Sequence, residues 1–507
     1  MTPSAERDPR RWLILGVIAL AQLMIVLDAT IMNIALPSAQ HALGFSLVDR
    51  QWVITAYALA FGSLLLLGGK LSDLLGRKVT FLIGLIGFAA ASAVGGASVN
   101  FAMLITARAC QGAFGALLAP SALSLLTVTF SNPDERGKAF GLYGAVAGTG
   151  GAIGLLLGGV LTEYMSWRWC LYVNLIFAGI AAAGAVTLLR RHARQSSPKL
   201  DWPGAALISA GMFCIVYGFS NAALHGWHAP STWGFLVAGA VLVVLFGWRQ
   251  TRATQPLLPP RIVANRNRAG AYLTILIASA GMFGIFLFLT YFMQQTLHFT
   301  PVITGVAFLP MVGCLMTVSI TTNIVLMPKL GPRPLASAGL LIAAVGLAVL
   351  TRITVHSTYA GDVLPSLLLI GVGLGLVFAP VFNSGTFGVG PRDAGVASAT
   401  VNTGQQLGGS IGTSLLNTLF ASAIAAYIAG HASPGTMVRG KPAPQLAAAA
   451  LIHGYTVAFW WSAAIFLTGA IVALILFRNG PLSQARQVED SHQKIAAEAA
   501  YQVPADG

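Results

Sequence analysis

The sequence predicts an all-α polytopic membrane protein with fourteen spans. Three observations lead there: too little polar surface for water, apolar stretches of spanning length from end to end, and positive charge that alternates between loops. Of 507 residues, 56% are hydrophobic and 9% charged, whereas an ordinary soluble domain carries about 25% charged residues. Glycine is abundant at 57 residues, which suits spanning helices because small residues let backbones approach closely.

A hydrocarbon core about 30 Å thick needs roughly 20 apolar residues in helix, and only helices satisfy their own backbone there. Taken in order, such stretches fall at 12–35, 51–69, 79–99, 101–129, 138–161, 168–189, 204–224, 231–248, 270–293, 302–327, 334–353, 362–383, 395–428 and 454–477. The first follows Arg7, Arg10 and Arg11 as a signal peptide would, but it runs too long and has no small-residue cleavage site, so it reads as an uncleaved span. A Pro-, Gly- and Ala-rich outer loop is expected at 429–453, and a polar tail after Arg478.

Cytoplasmic loops are enriched in Lys and Arg. With the N-terminus inside, the inner segments take all 29 basic residues except Arg50, Arg168, Arg352, Arg439 and Lys441 outside and Arg108 within a span. An odd error in the span count would scramble that alternation. Both termini are therefore expected in the cytoplasm, and the net charge of +14 belongs to topology. No basic run interleaved with aromatics points to nucleic acid.

A faint repeat divides the chain. Gly137 and the run Gly150-Gly151-Ala152-Ile153-Gly154 recur at one offset as Gly395 and Gly408-Gly409-Ser410-Ile411-Gly412, and Leu75-Gly76-Arg77 finds an echo in Leu330-Gly331-Pro332-Arg333. Two six-span halves in parallel orientation are a transporter plan. The expected domains are 1–195 and 261–480, two inserted spans with linkers at 196–260, and a tail at 481–507.

Cys110, Cys170, Cys214 and Cys314 all lie in apolar stretches, away from disulfide or metal-ligand spacing. Seven of the nine histidines scatter over outer segments (His41, His225, His228, His298, His356, His431, His453) without forming a ligand set, so no metal or other cofactor is expected. No cluster of His, Asp, Ser or Cys shares a depth, which argues against an enzyme, and no soluble output domain follows Arg478, which argues against a sensor.

Of the acids only Asp28 sits deep in a span, and of the bases only Arg108. Each such ion costs about 2.5–3.5 kcal/mol at mid-membrane on insertion scales, so it needs a partner or a wet cavity. Asp28 lies nine residues before Pro37 and Arg108 eight after Asn100, which at about 1.5 Å per residue gives both a similar depth in the outer half. Two readings follow. A permanent pair is a structural brace; a pair that transport separates lets the desolvated carboxylate take up a proton and couples the cycle to the proton gradient. A proton descending 100 mV supplies roughly 2.3 kcal/mol, so one acid suffices.

The loop Gly69-Lys70-Leu71-Ser72-Asp73-Leu74-Leu75-Gly76-Arg77-Lys78 allows a tight crossing at glycine and an ion pair sensitive to helix movement; a plain positive-inside anchor reads equally well. The ninth span carries Phe283, Phe286, Phe288, Tyr291, Phe292 and Met293 ahead of Gln294 and Gln295. These could line a pocket for flat hydrophobic solutes, or pack against neighbours and lipid.

The loop is similar to the best-known signature of the major facilitator superfamily. Leu27-Asp28-Ala29-Thr30-Ile31-Met32-Asn33-Ile34-Ala35-Leu36-Pro37 resembles the first-span motif of its fourteen-span drug:proton antiporters, the EmrB/QacA type. Leu104 to Gly112 resembles the fourth-span motif, and Gly144 to Gly159 the fifth-span antiporter motif. Trp167-Arg168-Trp169, Asn174, Asp201-Trp202, Gly305, Pro310 and Asn402 to Gly409 match further landmarks. The likeness runs from about residue 12 to 480, with two departures: Leu155 stands where the family has proline after glycine, and Leu74 replaces a basic residue.

The resemblance implies two six-helix bundles plus two inserted spans, rocking about a midplane site. It implies proton coupling by Asp28 and Arg108, a latch at Gly69, Asp73, Gly76 and Arg77, and close helix contact at Gly148, Gly154, Gly158 and Gly159. Asn33, Gln111, Phe283, Phe286, Tyr291, Asn402 and Gln405 are the expected cavity residues. The implied function is proton-driven export of small amphipathic drugs or antibiotics by a monomer in the bacterial inner membrane. Transport of a specific metabolite, peptide or lipid, or a transporter-like sensor, are the rivals.

Overall fold

The computed structural model of the chain describes residues 9–45, 50–130, 132–189, 201–254, 256–390, 393–432, 437–438 and 441–481. The first half holds α1 (Arg11–Leu43), α2 (Arg50–Leu75), α3 (Arg77–Gly96), α4 (Phe101–Thr129), α5 (Pro133–Tyr164) and α6 (Trp169–Leu188). The hairpin α7 (Trp202–His225) and α8 (Pro230–Arg252) follows, and a one-turn helix, α9 (Pro260–Ala264), leads into the second half. That half holds α10 (Arg266–Gln295), α11 (Pro301–Thr321), α12 (Met327–Leu330), α13 (Pro332–Leu350), α14 (Leu364–Thr386), α15 (Ala394–His431) and α16 (Pro444–Leu476). A π-helical turn at Thr322–Leu326 fuses α11 and α12 into one span, and another at Tyr359–Val363 opens α14.

Thirteen helices among the described residues are long and apolar enough to cross a membrane. The fourteenth is α5. Its first turns carry Asp134, Glu135, Arg136 and Lys138 and its body is rich in glycine, which lowers its hydropathy, but it packs along α1, α11 and α14 as a full span.

In the first half, α2 and α3 pack on α4, α1 on α5 and α6, and α3 on α6; in the second, α10 packs on α15 and α16, α13 on α14 and α16, and α11 on α14. The halves meet where α5 touches α11 and α14, and where α2 touches α15. The inserted α7 leans on both α2 and α15, so the extra pair straddles that second seam. The surface of α8 exposes Val237, Val241, Val244 and Trp248, as a lipid-facing helix does.

Glycine stripes build both halves alike. A Cβ at Gly150 would lie 2.9 Å from Val26 Cγ1, one at Gly158 would lie 2.9 Å from Ile31 Cγ1, and one at Gly154 would overlap Thr30 Oγ1. In the second half, a Cβ at Gly408 or Gly412 would overlap the carbonyl oxygens of Leu276 or Ala280. Thus α5 clasps α1 as α15 clasps α10. Lipid tails give helices no hydrophobic reason to associate, so backbone approach supplies the attraction. The echoed turns agree, since Gly76 and Gly331 both adopt positive φ, 94° and 75°, where a Cβ would be strained.

Two expected boundaries move. The first helix does not stop at Pro37; it runs to Leu43 and ends at left-handed Gly44, with Asp28 near the middle of the helix. The expected loop at 429–453 is shorter, because α16 begins at Pro444. Proline is favoured at a first helical position, where its missing N–H costs nothing, and Ala447 to Ala450 are strong helix formers. What remains of the loop includes a small antiparallel pair, β1 (Met437–Val438) and β2 (Lys441–Pro442).

Candidate functional site

Asp28 on α1 is fully buried and Arg108 on α4 is 1% exposed. Arg108 Nη1 donates to Asp28 Oδ2 at 2.6 Å and to Gln111 Oε1 at 2.9 Å. The other carboxylate oxygen, Oδ1, accepts from Asn174 Nδ2 of α6 at 2.7 Å and from Gln111 Nε2 at 3.1 Å. Ser92 of α3 receives Gln111 Nε2 at 2.6 Å. On its other side, Arg108 Nε donates to the Val53 carbonyl of α2 at 3.2 Å, and the guanidinium lies 4.5 Å from the Tyr57 ring centroid. Two helices, α4 and α6, thus bond the carboxylate of α1, while α2 and α3 hold the side chains that bond it. Charge-assisted hydrogen bonds and the cation–π contact offset the desolvation of both ions.

Sequence reasoning named Asp28 and Arg108 but missed Ser92, Asn174, Tyr57 and Val53 as their surroundings. Asn174 was visible only as a landmark, though an amide inside an apolar span is itself a signal. Gln111 was expected in the substrate cavity. It is instead fully buried, with its amide committed to the ion pair. Tyr57 Oη and Asn174 Oδ1 are buried without hydrogen-bond partners among the described residues, leaving two uncommitted oxygens inside the network.

The stripe on α5 flanks this site. Gly154 faces Leu27 and Thr30, and Gly158 faces Ile31, so the clasp fixes α1 on both sides of Asp28. Gly159 is buried. The surroundings of Gly148, and the side chain of Leu155, lie outside the described residues.

A second constellation lies at the face that carries the basic loops. Asp73, near the end of α2, accepts the Gly395 N–H at the start of α15 at 3.2 Å, and Arg77 Nη2 stands 3.9 Å from it. Arg77 Nε donates to Ser124 Oγ of α4 at 2.6 Å. A Cβ at Gly69 would lie 2.5 Å from Ala399 Cβ and 2.7 Å from the Gly395 oxygen, so the two backbones touch. Gly76 makes the turn into α3. The expected helix-to-helix ion pair is present at 3.9 Å, and the same carboxylate also reaches across the seam to a backbone N–H at 3.2 Å.

The other seam closes at the same face. Ser319 Oγ of α11 donates to the Gly141 carbonyl of α5 at 3.3 Å, and Arg136 Nη2 of α5 donates to the Thr386 carbonyl of α14 at 3.0 Å. Gly137 faces the Asn323 carbonyl in the π-helical turn. Both seams between the halves are shut at the basic face.

The cavity residues divide. Phe286 reaches across to Gly151 and packs on Phe308 at 5.4 Å between ring centroids. Tyr291 is exposed and Gln405 partly exposed. Asn402 is buried and donates to Ser398 of its own helix at 2.9 Å, so it offers a substrate little. Phe288 and Phe292 belong to the core. The side chains of Asn33 and Phe283 lie outside the described residues.

Residues 18–413 match the Major Facilitator Superfamily. The chain belongs to that superfamily. It is 47% identical to the puromycin resistance protein pur8 of Streptomyces alboniger, over 92% of each chain. It is 38% identical to the cephamycin export protein CmcT of Amycolatopsis lactamdurans, over 79% of this chain and 83% of that one. This superfamily member also shares its fold with the crystal structure of the human organic anion transporter MFSD10 (TETRAN), at a TM-score of 0.60 and 17% identity, covering 92% of this chain and all of the other. The chain is thus a multi-pass membrane transporter, and the two bacterial relatives just given are an antibiotic resistance protein and an antibiotic export protein.

Proposed function

We propose that this protein exports small amphipathic drugs or antibiotics from the bacterial cytoplasm, in exchange for protons, as a monomer in the inner membrane. The basic face is the cytoplasmic one, following the positive-inside rule. Resistance and export proteins among the relatives support the direction and substrate class. The observation that carries the coupling is the carboxylate of Asp28, fully buried and held by Arg108, Gln111 and Asn174.

Protonating Asp28 in place would strip Arg108 of its counter-charge in a dry site. Proton uptake is therefore tied to separation of α1 from α4, and that separation is available when the bundles 1–195 and 261–480 rock about their seams. Uncommitted Asn174 Oδ1 can accept from the carboxylic acid once its amide turns. The latch of Gly69, Asp73, Gly76 and Arg77 holds the cytoplasmic side shut while the opposite side releases drug and admits the proton. The fifth-span clasp transmits tilt to α1.

The test is expression in a drug-sensitive bacterial host lacking its own pumps, challenged with puromycin and a panel of other antibiotics. Resistance should rise for part of the panel and collapse with a protonophore. Unchanged sensitivity across the panel, or resistance that survives the protonophore, contradicts the reading.

A further inference from the structure

The hairpin of α7 and α8 touches both halves, and its two attachments differ in kind. Within itself it is tightly joined. A Cβ at Gly218 would lie 2.8 Å from Leu236 Cδ2, and one at Gly239 would lie 2.9 Å from the Ile215 backbone nitrogen, so the two helices pack backbone to backbone. Near the outer ends Asn221 donates to Ser231 and Thr232 at 2.8 and 2.9 Å, and at the inner ends Asp201 accepts from Arg249 at 2.8 Å.

Toward the first half the contact is apolar. Leu66 of α2 shares a cluster with Ile208 and Met212 of α7, and the Tyr217 ring lies 5.9 Å from that of Trp52. A Cβ at Gly62 would stand 3.5 Å from Val216 Cγ2, an ordinary van der Waals spacing. Among the described residues, no hydrogen bond or ion pair joins the hairpin to α1–α6. Toward the second half the hairpin is bracketed by its own linker. Gln250 of α8, 4% exposed, donates to Asp201 at 3.2 Å and accepts the Leu258 N–H at 3.1 Å. Further along, Arg268 of α10 grips α9, donating to the Ile262 carbonyl at 2.9 Å and the Arg261 carbonyl at 2.8 Å, and also reaches the Phe387 carbonyl at the end of α14 at 3.2 Å. The Arg261–Asp393 pair at 2.8 Å is exposed and adds little.

We propose that the inserted hairpin belongs mechanically to the second half: α7 and α8 travel with α10, α14 and α15 as one body, while α7 slides over α2. The inference rests on the rocking of the two bundles. Parting α7 from α2 exchanges side-chain contacts for lipid tails that are equally apolar. To leave the second half, the hairpin must break the grip of Gln250 on Leu258 or of Arg268 on α9, and buried backbone groups then lose their partners, the larger cost.

The full chain, with Cys110, Cys170, Cys214 and Cys314 replaced by serine, is spin-labelled in pairs at three exposed positions. These are Gly247→Cys on α8, with nothing within 4 Å, Ile83→Cys on α3 and Leu341→Cys on α13. Distances are read by double electron–electron resonance in lipid nanodiscs, in neutral and acid buffer, with and without puromycin. The α3–α13 distance should shift between conditions by several ångströms, the α8–α3 distance should shift as well, and the α8–α13 distance should hold within the width of its own distribution. A steady α8–α3 distance with a shifting α8–α13 distance overturns the proposal, as do shifts in both; rocking survives either result. If the α3–α13 distance never shifts, rocking of the halves fails, and the proposal falls with it.

Discussion

Gly69→Ala should weaken closure of the seam at the basic face. The new Cβ would lie 2.5 Å from Ala399 Cβ and 2.7 Å from the Gly395 oxygen, whereas ordinary contact begins at 3.4 Å. Neither neighbour can rotate away, since one is a methyl fixed to the backbone and the other a carbonyl. The seam must open by about 0.9 Å, an overpacking strain of about 1–3 kcal/mol. That strain exists only while the face is shut, so it shifts the balance toward the open state by about 5- to 150-fold. The reporter is Asn323→Cys, buried at the other seam, in a background with Cys110, Cys170, Cys214 and Cys314 replaced by serine. Its labelling by an impermeant maleimide in inside-out vesicles should quicken at least fivefold when Gly69→Ala is added. An unchanged rate in a well-folded variant would refute the idea that the two seams close as one latch.

Other outcomes follow from the packing and the charges. Gly408→Ala collides with the Leu276 carbonyl while Gly409→Ala has nothing within 4 Å, so the first should lower the unfolding temperature in detergent and the second should not; equal effects would show that the second clasp is not tight. At the start of α7, burial pushes the Asp201 carboxyl up, but hydrogen bonds from Arg249, Gly204 N–H and Gln250 outweigh it and hold the group below the usual carboxylate range. Its stabilisation is present above about pH 4 and lost as pH falls through the lowered native value. Thermal unfolding should therefore separate wild type from Asp201→Asn at pH 7, and the gap should narrow in acid; a gap that widens in acid contradicts the assignment.

The span count was legible because hydrocarbon thickness and loop charge constrain it twice over. The ion pair was legible because ions at depth are scarce: Asp28 and Arg108 stood out among apolar neighbours. Ser92 and Asn174 did not, since neutral polar residues are common in spans and their meeting depends on how α3 and α6 pack. Gln111 was misassigned for the same reason, as sequence gives its depth but not its facing. Among the glycines, Gly154 and Gly158 were found, while Gly150 was noted only as part of a repeat, although its spacing of one helical turn from Gly154 places it on the same stripe. The start of α16 was hidden because Pro, Gly and Ala look loop-like until proline is read as a first helical residue.

The central claim is that Asp28 carries the proton. Purified protein in detergent without buffer should take up or release about one proton per chain when a transported drug is added, read with a pH-indicator dye, and Asp28→Asn should abolish that signal while still binding drug. Proton exchange of unchanged size in a folded, drug-binding Asp28→Asn variant would contradict the account.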